Sequence, residues 1–213
     1  MARMNRIFFV TGTDTGAGKT VLTTLLVRHL RSRGINAAAL KPVCSGGRSD
    51  ARRLFAAMGG ALLLDEINPW HFRAAIAPSL AARQEKKKVK LAQVVAHIRG
   101  AQKKIEVLFV EGAGGLLSPL GEDFNTRDLM VALGAVPIIA APNRLGVVNH
   151  VLLTLEALPQ TVRATARVVL MPPRKPDIST KSNSSLLAEF FDSRRILSAG
   201  ERGFVSKISR IFR

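Results

Sequence analysis

The chain has 213 residues, 47% of them hydrophobic, with a formal net charge of +17, one cysteine, one tryptophan and no tyrosine. That length and apolar content suit one globular domain with a sizeable core and exclude a disordered chain. No apolar run approaches the roughly 20 residues of a membrane helix, and a lone Cys44 excludes both an internal disulfide and a cysteine metal cluster.

The chain starts basic and then turns apolar at residues 6–10 (RIFFV), which read as a buried strand. This apolar part is too short for the core of a secretory signal, so a cytoplasmic protein is expected. Directly after it, residues 12–20 (GTDTGAGKT) end in the Gly-Lys-Thr of a phosphate-binding loop. The head of the loop departs from the common spacing. Counting back from Gly18, the first glycine falls on Thr13, Gly12 stands one position early, and Asp14 puts a carboxylate into an anion-binding turn.

A helix is predicted next, with Leu22, Leu25, Leu26 and Leu30 on one face and Gly34 ending it. Residues 35–40 read as a second strand. Residues 49–58 read as a helix capped by Ser49 and closed by Gly59 and Gly60. The pattern from 61 to 83 is weak, broken by Asn68, Pro69 and Pro78. An amphipathic helix at 89–104, a third strand at 105–110 and a helix at 124–133 come after it. A fourth strand (136–141), a helix (147–158) and a fifth strand (166–171) complete the legible part. Residues 185–191 have a helical pattern, and 204–212 fit a strand or a helix. The alternation predicts a single α/β domain, a mainly parallel sheet with helices on both faces.

Ligands of such sheets bind at the carboxyl ends of the strands. After strand one, the loop amides and the start of the next helix would cradle phosphates, with Lys19 on the β/γ-phosphates and Thr20 on Mg²⁺. After strand two, Lys41 either reaches solvent or aims into the site, and Asp50 follows at a helix start. After strand three comes Glu111, then Gly112, Ala113, Gly114 and Gly115, whose small residues let backbone approach a ligand. Thr20, Asp50 and Glu111 together make a hard-cation site of oxygen ligands suited to Mg²⁺.

The stretches GTDTGAGKT, KPVCSGG, SDA, VEGAGGLLSPL and RLGVVNH, in that order, resemble the dethiobiotin synthetases, P-loop NTPases in fold. The resemblance runs from about residue 6 to 160, includes the same Asp-bearing loop, and matches residues 172–213 poorly. It implies an ATP-dependent ligase of biotin synthesis that joins CO₂ to 7,8-diaminononanoate, with ADP and phosphate as co-products. It implies that residues from Asp14 through Thr15, Gly16, Ala17, Gly18, Lys19 and Thr20 wrap the phosphates. Lys41 would be the active-site lysine with Lys19, and Thr15, Ser45 and Gly114 would lie near the diamine. Leu145 and Asn149 would hold the carboxylate of a substrate bound to the partner in a homodimer. Met171 stands where the resemblance puts an Asn that reads adenine, and a thioether cannot present an amide's donor and acceptor.

The positive charge is partly scattered and partly gathered at 83–90 and 194–213. With few aromatic residues for base stacking, it reads as a solvated basic surface rather than a nucleic-acid site. The alternative is a partitioning or positioning ATPase of the same fold on DNA or membrane. That group carries a second lysine early in its loop, where this chain has Asp14.

Overall fold

The computed structural model describes residues 6–209; the basic start of the chain and the last part of the 204–212 segment lie outside the described residues. In chain order the elements are β1 (Arg6–Gly12), α1 (Lys19–Ser32), β2 (Ala37–Leu40), β3 (Val43–Ser45), α2 (Ser49–Ala57) and α3 (Leu64–Ile67). Then come β4 (Trp70–Phe72), α4 (Pro78–Gln84), α5 (Leu91–Gln102), β5 (Val107–Glu111), α6 (Thr126–Leu133) and β6 (Val136–Pro142). The last are α7 (Val147–Glu156), α8 (Gln160–Arg163), β7 (Arg167–Met171), α9 (Asn183–Ala188), β8 (Ile196–Ser198) and α10 (Phe204–Ser209).

Six strands form one sheet in the order β2-β5-β1-β6-β7-β8, and every described pairing is parallel. Consecutive residues of a strand face opposite sides of the sheet. Ile7 to Gly12 are all buried, so β1 is covered on both faces. Over β1, β2 and β5 lies α1, with α2 and α10 against it, while α5 and α6 pack together over β5 and β1. Leu22, Leu26 and Leu30 of the predicted α1 stripe are buried, but Leu25 is exposed, turned off the face that packs on the sheet. The register sets Phe8 beside Phe109, with ring centroids 5.8 Å apart.

Three details differ from the sequence expectation. Ser49 is not the cap of α2: Arg48 holds that position and makes no side-chain cap, its guanidinium being engaged elsewhere. The weak segment contains β4, which pairs with β3 in a two-stranded parallel ribbon. The C-terminal part adds β8 to the edge of the main sheet. Of the two alternatives the 204–212 pattern allows, the described part at 204–209 takes the helix.

Candidate active site

The phosphate loop leaves the sheet at its centre, because β1 lies between β5 and β6. Gly16 and Gly18 take φ of 75° and 92°, left-handed values that a side chain rarely adopts. Lys19 opens α1 and folds its amine back over the loop, donating to the carbonyls of Asp14 at 2.9 Å and Gly114 at 2.7 Å. The early glycine now has a reason. A Cβ on Gly12 would lie 3.0 Å from the Ala17 Cβ and 3.2 Å from Lys19 Nζ, in the space the lysine crosses. The Asp14 side chain is exposed and accepts the Thr15 N–H at 2.6 Å, so its carboxylate stands outside the cradle. Burial, and then the charge of Lys41, pull the Lys19 ammonium down to about 8.

Three strand ends meet beside the loop. Glu111, the last residue of β5, is the register partner of Val10 and is 1% exposed. Its Oε1 accepts from Thr20 Oγ1 at 2.6 Å and lies 2.7 Å from Lys41 Nζ. Lys41 follows β2 and places the same ammonium 2.6 Å from Asp50 Oδ2 in the first turn of α2. Burial disfavours the Lys41 charge, but Glu111 and Asp50 outweigh it and push the ammonium up to about 12. Burial pushes the Asp50 carboxyl up, and the Lys41 charge with bonds from Lys41 and Thr20 brings it below its ordinary value. Thr20 at the start of α1, Asp50 in the first turn of α2 and Glu111 at the end of β5 are thus neighbours around the Lys41 ammonium. Two carboxylates and a hydroxyl are the oxygen donors a hard cation takes. Glu111 Oε2 is buried with no hydrogen-bond partner among the described residues, which leaves one of those oxygens open to such an ion.

The remaining predicted residues are more dispersed. Gly112, Ala113 and Gly114 form the turn after β5. At Gly114, where φ is 68°, a Cβ would sit 2.2 Å from Ser118 Oγ, so only glycine fits beneath that hydroxyl. Thr15 is exposed above the same turn, its Oγ1 3.9 Å from that Cβ position. Ser45 lies in β3 and donates its hydroxyl to the Ile76 carbonyl at 2.5 Å, so in this state it serves the main chain. Leu145 is 80% exposed before α7, and its N–H donates to Asp177 Oδ2 at 3.0 Å. Asn149 is exposed in the first turn of α7. A cavity of about 400 Å³ opens between the loop residues Thr13 and Asp14, the Gly115 to Ser118 turn, and His150, Leu153 and Thr154 of α7. Leu145 and Asn149 stand outside its lining.

Met171 ends β7 and rests on the loop: a Cβ on Gly18 would be 3.0 Å from its Cγ. Beyond it, the buried Asn183 Nδ2 donates to Asn143 Oδ1 at 2.8 Å and to the Arg144 carbonyl at 3.2 Å, and Asn143 Nδ2 donates to the Thr180 carbonyl at 3.0 Å. Sequence reading passed over Ser118, whose Oγ accepts the Gly115 N–H at 2.8 Å, and Asn68, which is wholly buried beside Lys41. Ser118 lies within the VEGAGGLLSPL stretch, whose signal is carried by Glu111 and the glycines, and Asn68 lies in a stretch without a pattern, where a polar residue is ordinarily a loop residue.

Residues 6–208 match a family model described as an AAA domain. An ATP-dependent dethiobiotin synthetase BioD of Anaeromyxobacter sp. is 45% identical over 157 residues, which cover 72% of this chain and 70% of that protein. Its counterpart in Akkermansia muciniphila is 38% identical over 189 residues, 88% of this chain and 89% of that one. Among solved structures, the hydrogenase maturation factor HypB from Archaeoglobus fulgidus superposes with a TM-score of 0.55 at 15% identity, covering 98% of this chain and 90% of that chain. The pNOB8 ParA bound to nonspecific DNA gives 0.57 at 12%, with 97% and 94% covered. At such identities these two likenesses establish the fold alone.

Proposed function

The chain belongs to the ATP-dependent dethiobiotin synthetase family, and on that premise we propose that Lys19, Lys41, Thr20, Asp50 and Glu111 form the centre at which it makes dethiobiotin. The substrates are 7,8-diaminononanoate, CO₂ and ATP. One amine of the diamine adds to CO₂ and becomes a carbamate. A carbamate oxygen attacks the γ-phosphorus, the bond to ADP breaks, and a carbamic–phosphoric anhydride forms. The second amine then attacks the carbamate carbon, phosphate leaves, and a five-membered cyclic urea closes.

Each step gathers negative charge between the phosphate loop and the diamine, so the chain's task is positioning and neutralisation. Lys19 is held by two carbonyls over the loop, ready for the β/γ-phosphates. Lys41 reaches into the same space, and the observation that carries the reading is its ammonium clasped between Glu111 and Asp50 next to Thr20. Its raised pKa keeps it charged, able to meet the carbamate and the transferring phosphoryl group. Mg²⁺ fits the Thr20, Asp50 and Glu111 oxygens, where it would supply charge neutralisation at the phosphates. The cavity beside the Gly115 to Ser118 turn has room for the diamine's chain. The exposure of Leu145 and Asn149 supports a homodimer in which α7 of a second copy takes the substrate's distant carboxylate. No helix among the described residues is long and apolar enough to cross a membrane, and a soluble, cytoplasmic enzyme of small-molecule synthesis is the setting proposed.

The direct test is incubation with the diamine, labelled bicarbonate and MgATP. Label fixed in a cyclic urea, with one ADP per ring, is the expected result. ATP hydrolysis without fixed label rejects the reading.

A further inference from the structure

Resting on the reading of Lys41 just given, we infer that Asn68 is a positioning residue for Lys41, locked in turn by Arg48. The register of the main sheet stops short of the Lys41 backbone, although Glu111 of β5 meets its ammonium. The β2–β5 register ends at Leu40 opposite Val110, and Lys41 is the first residue past it. Its backbone is held instead by the segment before β4. The Lys41 N–H donates to the Ile67 carbonyl at 2.9 Å, and Asn68 Nδ2 donates to the Lys41 carbonyl at 2.6 Å.

Asn68 is 0% exposed, so this amide sits where an unmet group is expensive. Its Oδ1 accepts from Arg48 Nε and from Cys44 Sγ, both at 3.2 Å. Arg48 also donates to the carbonyls of Leu64 at 2.7 Å and Asn68 at 3.1 Å, and pairs with Asp65 at 2.7 Å. It precedes α2 by one residue and Asp50 by two. Both ends of the Lys41–Asp50 pair therefore hang from one buried polar knot whose centre is Asn68. The β3–β4 ribbon, with the Trp70 N–H on the Pro42 carbonyl at 3.0 Å, continues the same brace. A shift of about 1 Å in a catalytic group, caused away from the chemistry, can cost on the order of 10²-fold in rate.

The test is a double-mutant cycle under steady-state conditions with substrates in excess, following phosphate release from MgATP and the diamine. Asn68→Asp keeps the shape and the acceptor for Arg48 and Cys44 but turns an oxygen toward the Lys41 carbonyl. It is expected to lower kcat at least tenfold while leaving the KM for ATP within roughly threefold, because the Lys19 loop is untouched. In a Lys41→Met background the same change is expected to have no further effect, since it acts only through Lys41. A loss of the same size in both backgrounds overturns the positioning role, and so does unchanged kcat in Asn68→Asp alone. Wild-type turnover in Lys41→Met overturns the role of Lys41 itself, a separate failure read from a separate variant. Should Asn68→Asp not fold, Arg48→Gln carries the same cycle with a smaller loss expected. The single cysteine adds a readout free of catalysis: Cys44 is 4% exposed, and loosening Asn68 is expected to speed its modification by a thiol reagent. An unchanged rate in every variant speaks against the knot.

Discussion

Replacing Lys41 by Met removes a charge and keeps the length of the side chain. Lys41 is 5% exposed and lies 2.7 Å from Glu111 and 2.6 Å from Asp50, so two carboxylates lose their counter-charge together. Breaking a buried pair costs ~3–5 kcal/mol. The Asp50 side chain is 40% exposed and is partly relieved by water, which places this site at the lower end, ~3 kcal/mol. Against the ~5–15 kcal/mol by which domains are stable, the variant stays folded at 25 °C. Its rate should nonetheless fall ~10²-fold or more, because charge developing on the phosphoryl group meets one cation fewer. The same substitution also changes cation binding. With the ammonium gone, Thr20, Asp50 and Glu111 surround an excess of negative charge, and Mg²⁺ should stabilise the variant more than the wild type. At a hundred times its Kd the ion adds ~2.7 kcal/mol, which thermal unfolding reads as about 5–10 °C for a chain of this size. Wild-type-like turnover refutes the catalytic role. Equal Mg²⁺ shifts in the two proteins refute the placement of the ion among these oxygens.

The Lys19 ammonium, pulled down to about 8 by burial and then by the charge of Lys41, is lost from the free enzyme as pH rises through that value, well before an ordinary lysine would lose its proton. The kcat/KM for ATP should therefore fall above about pH 8 while Lys41, at about 12, stays charged; a profile flat to about pH 10 contradicts this. Because the Met171 thioether lies on the loop and offers no amide, ATP, GTP, CTP and UTP should be used within about tenfold of one another, or about 1.4 kcal/mol. A preference for ATP of about 10³-fold or more shows that other groups read the base. Asn149→Ala should raise the KM for the diamine far more than that for ATP, and a monomer by light scattering that still turns over the diamine contradicts the shared pocket.

The parts of this molecule that follow a local rule were legible in its sequence. The α1 stripe repeats over three turns, and Glu111 ends an apolar strand, so both could be read without neighbours. The meeting of Thr20, Asp50 and Glu111 followed from one topological rule about strand ends. What stayed hidden is set by distance along the chain. The three-residue strands β3, β4 and β8 are too short to show a period: β8 adds to the edge of the main sheet, and β3 and β4 pair only with each other. Asn68 next to Pro69 looks like a breaker, and its role depends on a carbonyl 27 residues earlier. Ser49 has the chemistry of a cap, yet Arg48 takes the place, its guanidinium held by the Leu64 and Asn68 carbonyls, bonds to distant residues that no local pattern shows.

The strand order has a consequence for the making of the protein. β1 and β2 are not neighbours, since β5 is inserted between them, and Arg6 first finds its partner at Val107. Among the described residues, no strand pair of the six-stranded sheet can form before residue 107. A nascent polypeptide emerging N-terminus first thus carries two apolar strands with bare edges until half of it has been synthesised. The loop is no earlier: Lys19 waits for Gly114, and Thr20 and Lys41 wait for Glu111. Long-range parallel pairing of this kind folds slowly, so the window in which the unfinished chain is vulnerable to aggregation is opened by the same topology that puts the phosphate loop at the centre of the sheet.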